Sequence, residues 1–436
     1  MNKILLCLNL IISISLVIHS ANSESKTLSK KEFISLFKER NFQWKQSFFP
    51  IEESESKLEQ IESVNGVHLT LFSRSVIART NQLFFGFLES GPLNTVGFGV
   101  TGIQAGMSLY NESFNKKILA TKETIKIAGE NTKKMQTDLQ FFILGKYIEI
   151  QYQQKKLEIS EIAIKKSQEI YRLAKEKNNS GIGIPIDIAR SEVLIAKDKI
   201  KNLEIKNQIY KLQKELTTYL NEDNQYEIPT LKIKKINIDK NKKNNETYSN
   251  IIIAQHQLNA LEYLRNSIEA EKKLNIKTYA EIGTVGTQAF GLFNTLSGSV
   301  GIQFEIPIMD SGYNNGKKRE ILNQIANIKL EKEKFQKENI QKNEQSISQL
   351  ELTELILNET DTQLKYSITE MNLAEKKIKY GSAGNLEYIN AQTNYILALE
   401  ANTFAMYSYE LSKLNLFYIN SDLNGYLDTD EEVGNG

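Results

Sequence analysis

Two acidic residues, Asp187 and Glu387, are the first candidates for chemistry, because each follows a glycine-containing turn and they lie 200 residues apart. A carboxylate in the first turn of a helix is stabilised by the helix dipole, so capping alone could account for both. Arg190 and Asn390 follow one helical turn later. These four positions are candidates for an electrostatic role at two equivalent places in the chain.

Residues that support catalysis or metal binding do not form a recognisable pattern. His68 and His256 have no second ligand at metal-binding spacing, and the only cysteine is Cys7. The sequence contains no nucleophile elbow, phosphate-binding loop or zinc motif. We therefore predict no metal, no cofactor and no enzymatic activity.

The composition favours long helices over a compact enzyme core. Charged residues make up 25% of the chain and apolar residues 40%, which is typical of helices with narrow apolar stripes. Basic and acidic residues are interleaved and the formal net charge is +1. The overall charge therefore does not favour nucleic-acid binding.

The N-terminal residues 1–23 have the pattern of a secretory signal peptide. Lys3 precedes an apolar run from Ile4 to Ile18, and the small residues Ala21 and Ser23 follow. We predict cleavage near Ser23, which would leave a mature protein without cysteine. No later segment offers about 18 uninterrupted apolar residues, so we expect an exported protein without a transmembrane helix.

The chain contains an internal repeat. Residues 180–192 read SGIGIPIDIARSE, and residues 380–392 read YGSAGNLEYINAQ. Glycine, aliphatic and acidic residues recur at the same offset: Gly181, Ile186 and Asp187 correspond to Gly381, Leu386 and Glu387. We interpret the two segments as two copies of one turn between helices.

Apolar residues recur every seven positions before each turn. The two series are Ile143, Ile150, Leu157, Ile164 and Tyr171, and Leu350, Leu357, Leu364, Met371 and Ile378. This period predicts coiled-coil-like packing of long helices at about 113–179, 185–220, 314–379 and 385–420, with shorter helices at about 51–64 and 246–273. So narrow an apolar stripe is compatible with a plain coiled coil and also with a wall of helices that has water on both sides.

Two candidate strands precede each long helix. In the second copy, residues 297–308 alternate regularly, and residues 274–288 do so more weakly. In the first copy, residues 67–88 precede a segment that alternates through Val96, Phe98 and Val100 and shifts phase at Gly102, which predicts a β-bulge there. Strands of about 10 residues can cross a bilayer when tilted. An ordinary half-buried hairpin is the alternative.

Two segments carry a resemblance to a known family. In residues 299–322, SVGIQFEIPIMDSGYNNGKKREIL, a strand ends at Pro307, and a turn with Asp310 and Gly312 opens the long helix. Residues 379–414, KYGSAGNLEYINAQTNYILALEANTFAMYSYELSKL, are similar to the family's second turn and descending helix, and the repeat at 177–200 fits the same pattern. Over nearly its whole mature length the chain resembles the TolC-like outer membrane efflux protein (outer membrane factor) family.

The resemblance implies a mainly α fold with a membrane β-barrel. Each protomer would be a two-repeat chain of long helical hairpins and β-hairpins, and a homotrimer would form a twelve-stranded barrel and a twelve-helix periplasmic α-barrel. The implied function is a passive outer membrane channel-tunnel, the exit duct of a tripartite efflux pump or type I secretion system. The implied partners are outer membrane lipid, a periplasmic adaptor (membrane fusion protein) and, through it, an inner-membrane pump or ABC transporter.

The resemblance also implies that the two turns dock onto the adaptor. The docking tips would consist of Gly181, Ile182, Gly183, Pro185, Gly381, Ser382, Ala383 and Gly384. Glycine permits positive φ and proline suits the first position of a helix, so turn formation alone accounts for the local shape.

By position, the family's constricted periplasmic aperture would be lined by Asp187, Glu387 and Asn390. The sequence departs from the family pattern there, because neutral Asn390 stands where a second carboxylate is expected, and a basic residue expected near Ala383 is absent. We hypothesise that this aperture binds cations weakly and closes through other contacts, which involve Arg190. Tight block by micromolar trivalent cations would rule this out.

Two other classes of protein fit part of the pattern. An exported structural coiled-coil protein and a periplasmic adaptor both contain long helices, but neither carries a matched pair of strands before each of two hairpins. A channel would need detergent for extraction and would run as a trimer.

The expected domain boundaries follow the repeat. They are the signal peptide 1–23, an N-terminal helical segment 24–65, the first β-hairpin 66–110, the first helical hairpin 111–220 with its tip at 179–185, a linker 221–245, a short helix 246–273, the second β-hairpin 274–309, the second helical hairpin 310–420 with its tip at 380–385, and a tail 421–436.

Overall fold

The computed structural model describes residues 28–80, 82–83, 87–88, 94–222, 226–236, 248–286, 295–380, 382 and 384–431. The predicted signal peptide with Cys7 lies outside these residues, and so do Gly381 and Ala383 of the second tip. The chain divides into two compact units. The helical unit comprises Met1–Ser47, Lys134–Tyr248 and Lys337–Gly436, and the sheet unit comprises Phe48–Lys133 and Ser249–Gln336.

The predicted helices are confirmed to within about three residues at each end. In chain order the helices are α1 (Lys30–Arg40), α2 (Phe42–Gln46), α3 (Phe49–Ser63), α4 (Glu112–Asn179), α5 (Pro185–Leu220), α6 (Ser249–Ala270), α7 (Tyr313–Lys379), α8 (Asn385–Ile419) and α9 (Leu423–Glu431). None of these helices, over the residues described, is long and apolar enough to cross a membrane.

The largest core of the helical unit lies where α1, α4, α5, α8 and α9 meet. Phe33 and Phe37 of α1 are buried there with Tyr147 of α4, Leu220 of α5 and Tyr426 of α9. Burying a side chain of this size stabilises the fold by about 2 kcal/mol relative to leaving it exposed. The chain therefore closes this core by itself.

A charged cluster is buried beside that core. Glu410 of α8 accepts hydrogen bonds from the ammonium group of Lys30 at 2.8 Å and from the hydroxyl of Tyr426 at 2.7 Å. Lys413 lies 3.6 Å from the other carboxylate oxygen, and the side chains of Lys413 and Glu410 are at most 1% exposed. Because α1, α8 and α9 each supply a member, the cluster joins the two ends of the described chain.

The heptad prediction is confirmed for four of its five residues in α7, where Leu364 is only half-buried, and for two of five in α4. In α7, Leu350, Leu357, Met371 and Ile378 are buried. In α4, Ile143 and Ile150 are buried, whereas the later members of the series are only half-buried. There the buried face passes to residues at a different phase: Ile159, Ala163, Ile170 and Ala174. A straight helix drifts by about 20° per heptad, which accounts for the change.

Six strands lie in the described part of the sheet unit. They are β1 (His68–Thr80), β2 (Gln82–Leu83), β3 (Phe87–Leu88), β4 (Asn94–Asn111), β5 (Asn275–Gly286) and β6 (Thr295–Glu305). A four-stranded antiparallel sheet has the order β1-β4-β5-β6, so both predicted hairpins form and the pairing of β4 with β5 joins them. β1 and β6 are its two edges.

The bulge predicted at Gly102 is wrong. β4 pairs without interruption there, with Phe72 opposite on β1 and Gly283 opposite on β5, and the register shift lies at Ser108–Tyr110 instead. A Cβ on Gly102 would lie 2.4 Å from the carbonyl oxygen of Ile282. The close approach of the backbones at Gly102 and Gly283 therefore explains why position 102 is a glycine. The apolar residues of β4 change from one face of the sheet to the other without an inserted residue.

The two faces of the sheet differ in chemistry. Register places apolar side chains that are between 50% and 84% exposed on one face: Leu69, Leu71, Ile103, Ile282, Val300, Ile302 and Phe304. The opposite face carries polar and charged side chains: Thr70, Gln104, Lys277, Glu281, Ser299, Gln303 and Glu305. On that polar face Ser299 donates a hydrogen bond to Glu281 at 3.1 Å. The apolar face is thus exposed to the surroundings in the single chain.

Candidate functional site

The first tip is a tight turn between α4 and α5. Gly181 adopts a φ of +74°, which side chains disfavour, and the backbone N–H groups of Ile182 and Gly183 donate to the carbonyl of Lys177 at 3.1 and 2.9 Å. A Cβ on Gly183 would lie 2.4 Å from the backbone nitrogen of Asn178. Pro185 occupies the first position of α5. Both glycines are therefore required by the backbone itself.

The described residues of the second tip, Ser382 and Gly384, repeat part of this geometry. The backbone N–H of Ser382 donates to the carbonyl of Lys377 at 2.9 Å, which is the bond from Ile182 to Lys177 shifted by 200 residues. The Ser382 hydroxyl also donates to that carbonyl, at 3.1 Å. Gly384 precedes α8 in an extended conformation. The two turns therefore share this backbone bond as well as their sequence pattern.

Each candidate carboxylate has an ion pair within its own hairpin. Asp187 lies in the first turn of α5, with its carboxylate 3.8 Å from the guanidinium of Arg190. Glu387 lies in the first turn of α8 and accepts a hydrogen bond from Lys377 at 2.9 Å. Asn390 is exposed. The structure thus brings Asp187 together with Arg190, whereas Glu387 pairs with a residue that the sequence did not single out.

Lys377 is the tip residue that sequence reasoning missed. It lies in the last turn of α7 with Lys376 and Lys379, where the negative end of the helix dipole favours cations. This basic turn was the available signal, because the hairpin brings it beside the first turn of α8. Since the pair is exposed, it contributes at most about 1 kcal/mol to stability.

A buried polar layer lies behind the second tip. Gln392 of α8 donates to the carbonyl of Ala163 at 3.3 Å and to the hydroxyl of Ser167 at 3.2 Å, and Ser167 in turn donates to Asp198 of α5. One turn nearer the tip, burial raises the pKa of Tyr388 to about 12, with smaller contributions from the carboxylates of Glu375 and Glu169. The layer ties α8 to α4 close to the turn.

The strand-to-helix turn at residues 307–312 is built by Asp310. Its carboxylate accepts the backbone N–H of Gly312 at 3.0 Å, which is the main cause that holds the Asp310 pKa below its usual value. Gly312 has a φ of +84°, and Pro307 is the first residue of the turn. In the first repeat, Asn111 caps α4 by accepting the N–H of Phe114 at 2.9 Å. Sequence reasoning did not find Asn111.

The chemistry available at the tips is electrostatic. Across the described ranges, no cluster of three or more His, Cys, Asp or Glu side chains could hold a metal ion. Asp187 and Glu387 carry their negative charge on partly or fully exposed side chains beside the turns. Such carboxylates can attract cations and can exchange ion-pair partners when the hairpins move.

The sequence matches no family profile, and no curated protein is significantly similar to it. Solved structures are similar in fold. The outer membrane protein VceC from Vibrio cholerae has a TM-score of 0.72 at 12% identity, over 89% of this chain and 95% of that chain. The Campylobacter jejuni outer membrane channel CmeC gives 0.72 at 13% identity, over 92% and 89%. The open state of the Neisseria gonorrhoeae outer membrane channel MtrE gives 0.70 at 16% identity, over 90% and 89%.

Each match covers nearly the full length of both aligned chains, so the similarity extends over the long helices and the sheet. The resemblance read from the strand-to-helix turn and the two tips is confirmed at the level of the fold. This chain has the TolC-like fold of outer membrane channels.

Proposed function

We propose that this protein is one protomer of a homotrimeric outer membrane channel-tunnel, the passive exit duct of a tripartite efflux pump or type I secretion system. The observation that carries the proposal is the four-stranded sheet with one exposed apolar face and one polar face. A strand pattern that is apolar towards lipid and polar towards a lumen is the pattern of a membrane barrel. The fold shared with VceC, CmeC and MtrE, all outer membrane proteins, supports it.

The open edges of the sheet support a trimer. β1 and β6 are edge strands of 13 and 11 residues, and long open edges in a lipid environment leave backbone groups without partners. Pairing β6 of one copy with β1 of the next satisfies both edges. Three copies of a four-stranded sheet then close a barrel of twelve strands, with its apolar face towards outer membrane lipid.

The tips are the proposed site of docking and gating. The aperture is proposed to be lined by Asp187, Glu387 and Asn390. Within each hairpin, Arg190 and Lys377 pair with the two carboxylates, and these pairs are proposed to exchange partners when the aperture opens and closes. A periplasmic adaptor is proposed to engage the turns at 180–185 and 380–385 and to couple the channel to an inner-membrane pump. Energy for transport would come from that pump, since we propose no enzymatic activity for this chain.

The test is conductance of the purified protein. The full chain is produced in a bacterium with an outer membrane, extracted from the outer membrane fraction with detergent, and measured by light scattering and in planar bilayers. We expect a particle of three chains and discrete single-channel steps. Extraction without detergent and no conductance would identify the exported structural coiled-coil protein or the adaptor instead.

A further inference from the structure

We infer that a cavity on the polar face of the sheet unit binds small organic ammonium ions, which carry a positive charge on an apolar body. The site lies at the end of the sheet, where α4 begins and α6 ends. Its place inside a lumen rests on the proposed channel. The inference deepens that proposal, because it names a class of solute that the duct retains during passage.

The cavity has a volume of about 220 Å³ and lies wholly within the sheet unit. The start of α4, the last turn of α6 and the start of β5 surround it, and the end of β6 closes one side. An engineered apolar cavity of about 150 Å³ in another protein takes up benzene. The space here is therefore sufficient for one aromatic ring with a short charged substituent.

Strand register places the cavity on the polar face of the sheet. Asn111, Asn275 and Glu305 line the cavity, and they lie directly opposite one another on β4, β5 and β6. Residues directly opposite on neighbouring antiparallel strands share a face of the sheet, and Glu305 belongs to the polar one. In the proposed barrel this face is turned towards the lumen, so a solute that passes along the duct reaches the cavity.

The two lysines that line the cavity are both paired with carboxylates. The ammonium group of Lys117 donates to one carboxylate oxygen of Glu271 at 2.8 Å. The ammonium group of Lys273 donates to both carboxylate oxygens of Glu112 at 2.9 Å. These pairs offset the positive charge of the lysines, so an anionic ligand has to compete with two carboxylates that are already in place.

Hydrogen-bond acceptors around the cavity lack donors. One oxygen of Glu271 and one of Glu305 accept from lysines, and among the residues that the structure describes the second oxygen of each carboxylate has no donor. The hydroxyl of Ser113, a residue that is 5% exposed, and the amide oxygen of Asn275 are buried without a hydrogen-bond partner in the same part of the chain. Because an unpaired buried acceptor is unfavourable, a ligand that brings N–H donors is favoured.

Apolar side chains complete the walls of the cavity. Phe114, Leu274 and Pro307 line it, and an aromatic ring attracts a cation that is placed over its face. A bare metal ion is a poorer match, since over the described ranges no three His, Cys, Asp or Glu side chains come together as metal ligands. Apolar walls with a few convergent acceptors fit an ammonium group on an apolar body.

The test measures binding of para-fluorobenzylammonium to the detergent-purified full chain by fluorine NMR. We expect saturable broadening of the ligand signal, in excess of that in detergent alone. Glu305→Gln removes the charge of a half-exposed acceptor at nearly constant size, and it should weaken binding by about fivefold, the upper end for one exposed ion pair. The matched control is Glu281→Gln, because Glu281 is a carboxylate on the same polar face that does not line the cavity.

Two further measurements separate charge from shape. The anion para-fluorophenylacetate has a similar body and the opposite charge, and we expect it not to bind. Leu274→Trp fills the cavity and leaves every charge in place, so we expect it to abolish binding of the ammonium ion. If Leu274→Trp does not fold, the comparison of Glu305→Gln with Glu281→Gln carries the test.

The outcomes distinguish the site from the channel, because binding is measured without a bilayer. Equal binding of the ammonium ion by the unmodified chain and by Glu305→Gln would overturn the site, and equal binding of the anion would overturn the class of ligand. A conducting trimer that does not bind the ammonium ion overturns the site and leaves the channel intact. Binding by a protein that does not conduct supports the site and overturns the channel.

Discussion

Two regions bring distant parts of the chain together: the junction of α1, α8 and α9, and the four-stranded sheet. They differ in whether their apolar side chains are buried. At the junction, Phe33, Phe37 and Tyr426 are fully buried by the chain itself. On the sheet, Leu71, Val300 and their neighbours stay exposed on one continuous face. One region is complete in a single chain, whereas the other needs surroundings that the chain does not supply.

We expect stability to depend mainly on the junction, and function on the sheet and the tips. Substitutions at the junction should act on unfolding of the individual chain. Substitutions on the sheet and at the tips should leave the chain folded and change what it inserts into or conducts. Each of the experiments below tests one side of this contrast.

The largest effect is expected at Glu410. Glu410→Ala removes the carboxylate that lies between the ammonium groups of Lys30 and Lys413 in the buried cluster. Breaking a buried ion pair typically costs about 3–5 kcal/mol, so we expect that loss in the free energy of unfolding by chemical denaturation. The control is Glu53→Ala, which breaks an exposed pair with Lys57 and should leave unfolding unchanged. If both substitutions lowered the free energy of unfolding equally, the buried cluster would have no special role in the stability of the chain.

Next in size is a charge on the apolar face of the sheet. Val300→Arg places a guanidinium where we propose lipid, at a cost of about 2–4 kcal/mol near the middle of a bilayer. We expect much less trimer in the outer membrane fraction, with the free energy of unfolding of the helical unit little changed. The matched control, Ser299→Arg, lies on the polar face one residue away and should assemble normally. Equal loss for both would contradict the assignment of faces.

The buried cluster also predicts how stability depends on pH. Burial disfavours the charged form of Glu410, but the charges of Lys30 and Lys413 and the hydrogen bonds from Lys30 and Tyr426 outweigh it and hold the pKa of this carboxyl below its usual 4.5. Because the folded-state pKa is the lower one, the contribution is complete above pH 4.5 and is lost as the pH falls below that value. We expect Glu410→Gln to lose stability less steeply than the unmodified protein on acidification, measured by denaturation at a series of pH values.

The smallest effect on stability, and the sharpest on conduction, is expected at the second tip. Lys377→Ala releases Glu387 from its ion pair, and Asn390→Asp adds a carboxylate one helical turn away. Both changes increase the negative charge available to a trivalent cation, so we expect block of single-channel conductance to tighten by about tenfold for each. Ser382→Ala alters the same turn without changing its charge and serves as control. Tight block of the unmodified channel would contradict the hypothesis of a weak aperture.

The sequence was sufficient for the parts of the fold that follow from local periodicity. Heptad spacing located α4 and α7, and the glycine-rich turns located the tips, because helix length and turn chemistry are encoded along the chain. The phase shift in β4 was misread as a bulge at Gly102. The close approach of Gly283 on the neighbouring strand decides that position, and a single sequence cannot reveal it.

Long-range electrostatics could not be predicted in the same way. The contact between Lys30 and Glu410 joins residues 380 positions apart, and its burial depends on how α1, α8 and α9 pack. The pair of Lys377 with Glu387 spans only ten residues, yet it depends on the hairpin that brings the two helix ends together. In both cases the residue types are visible in the sequence and their partners are not.

The two open edges of the sheet have a consequence for biogenesis. Before assembly, β1 and β6 each expose a row of backbone hydrogen-bonding groups, which invites aggregation in water and is costly in hydrocarbon. If the sheet forms the proposed barrel, a lone chain would have no favourable way to enter a bilayer, and insertion would be coupled to oligomerisation. The rate of insertion should accordingly rise more steeply than in proportion to protein concentration.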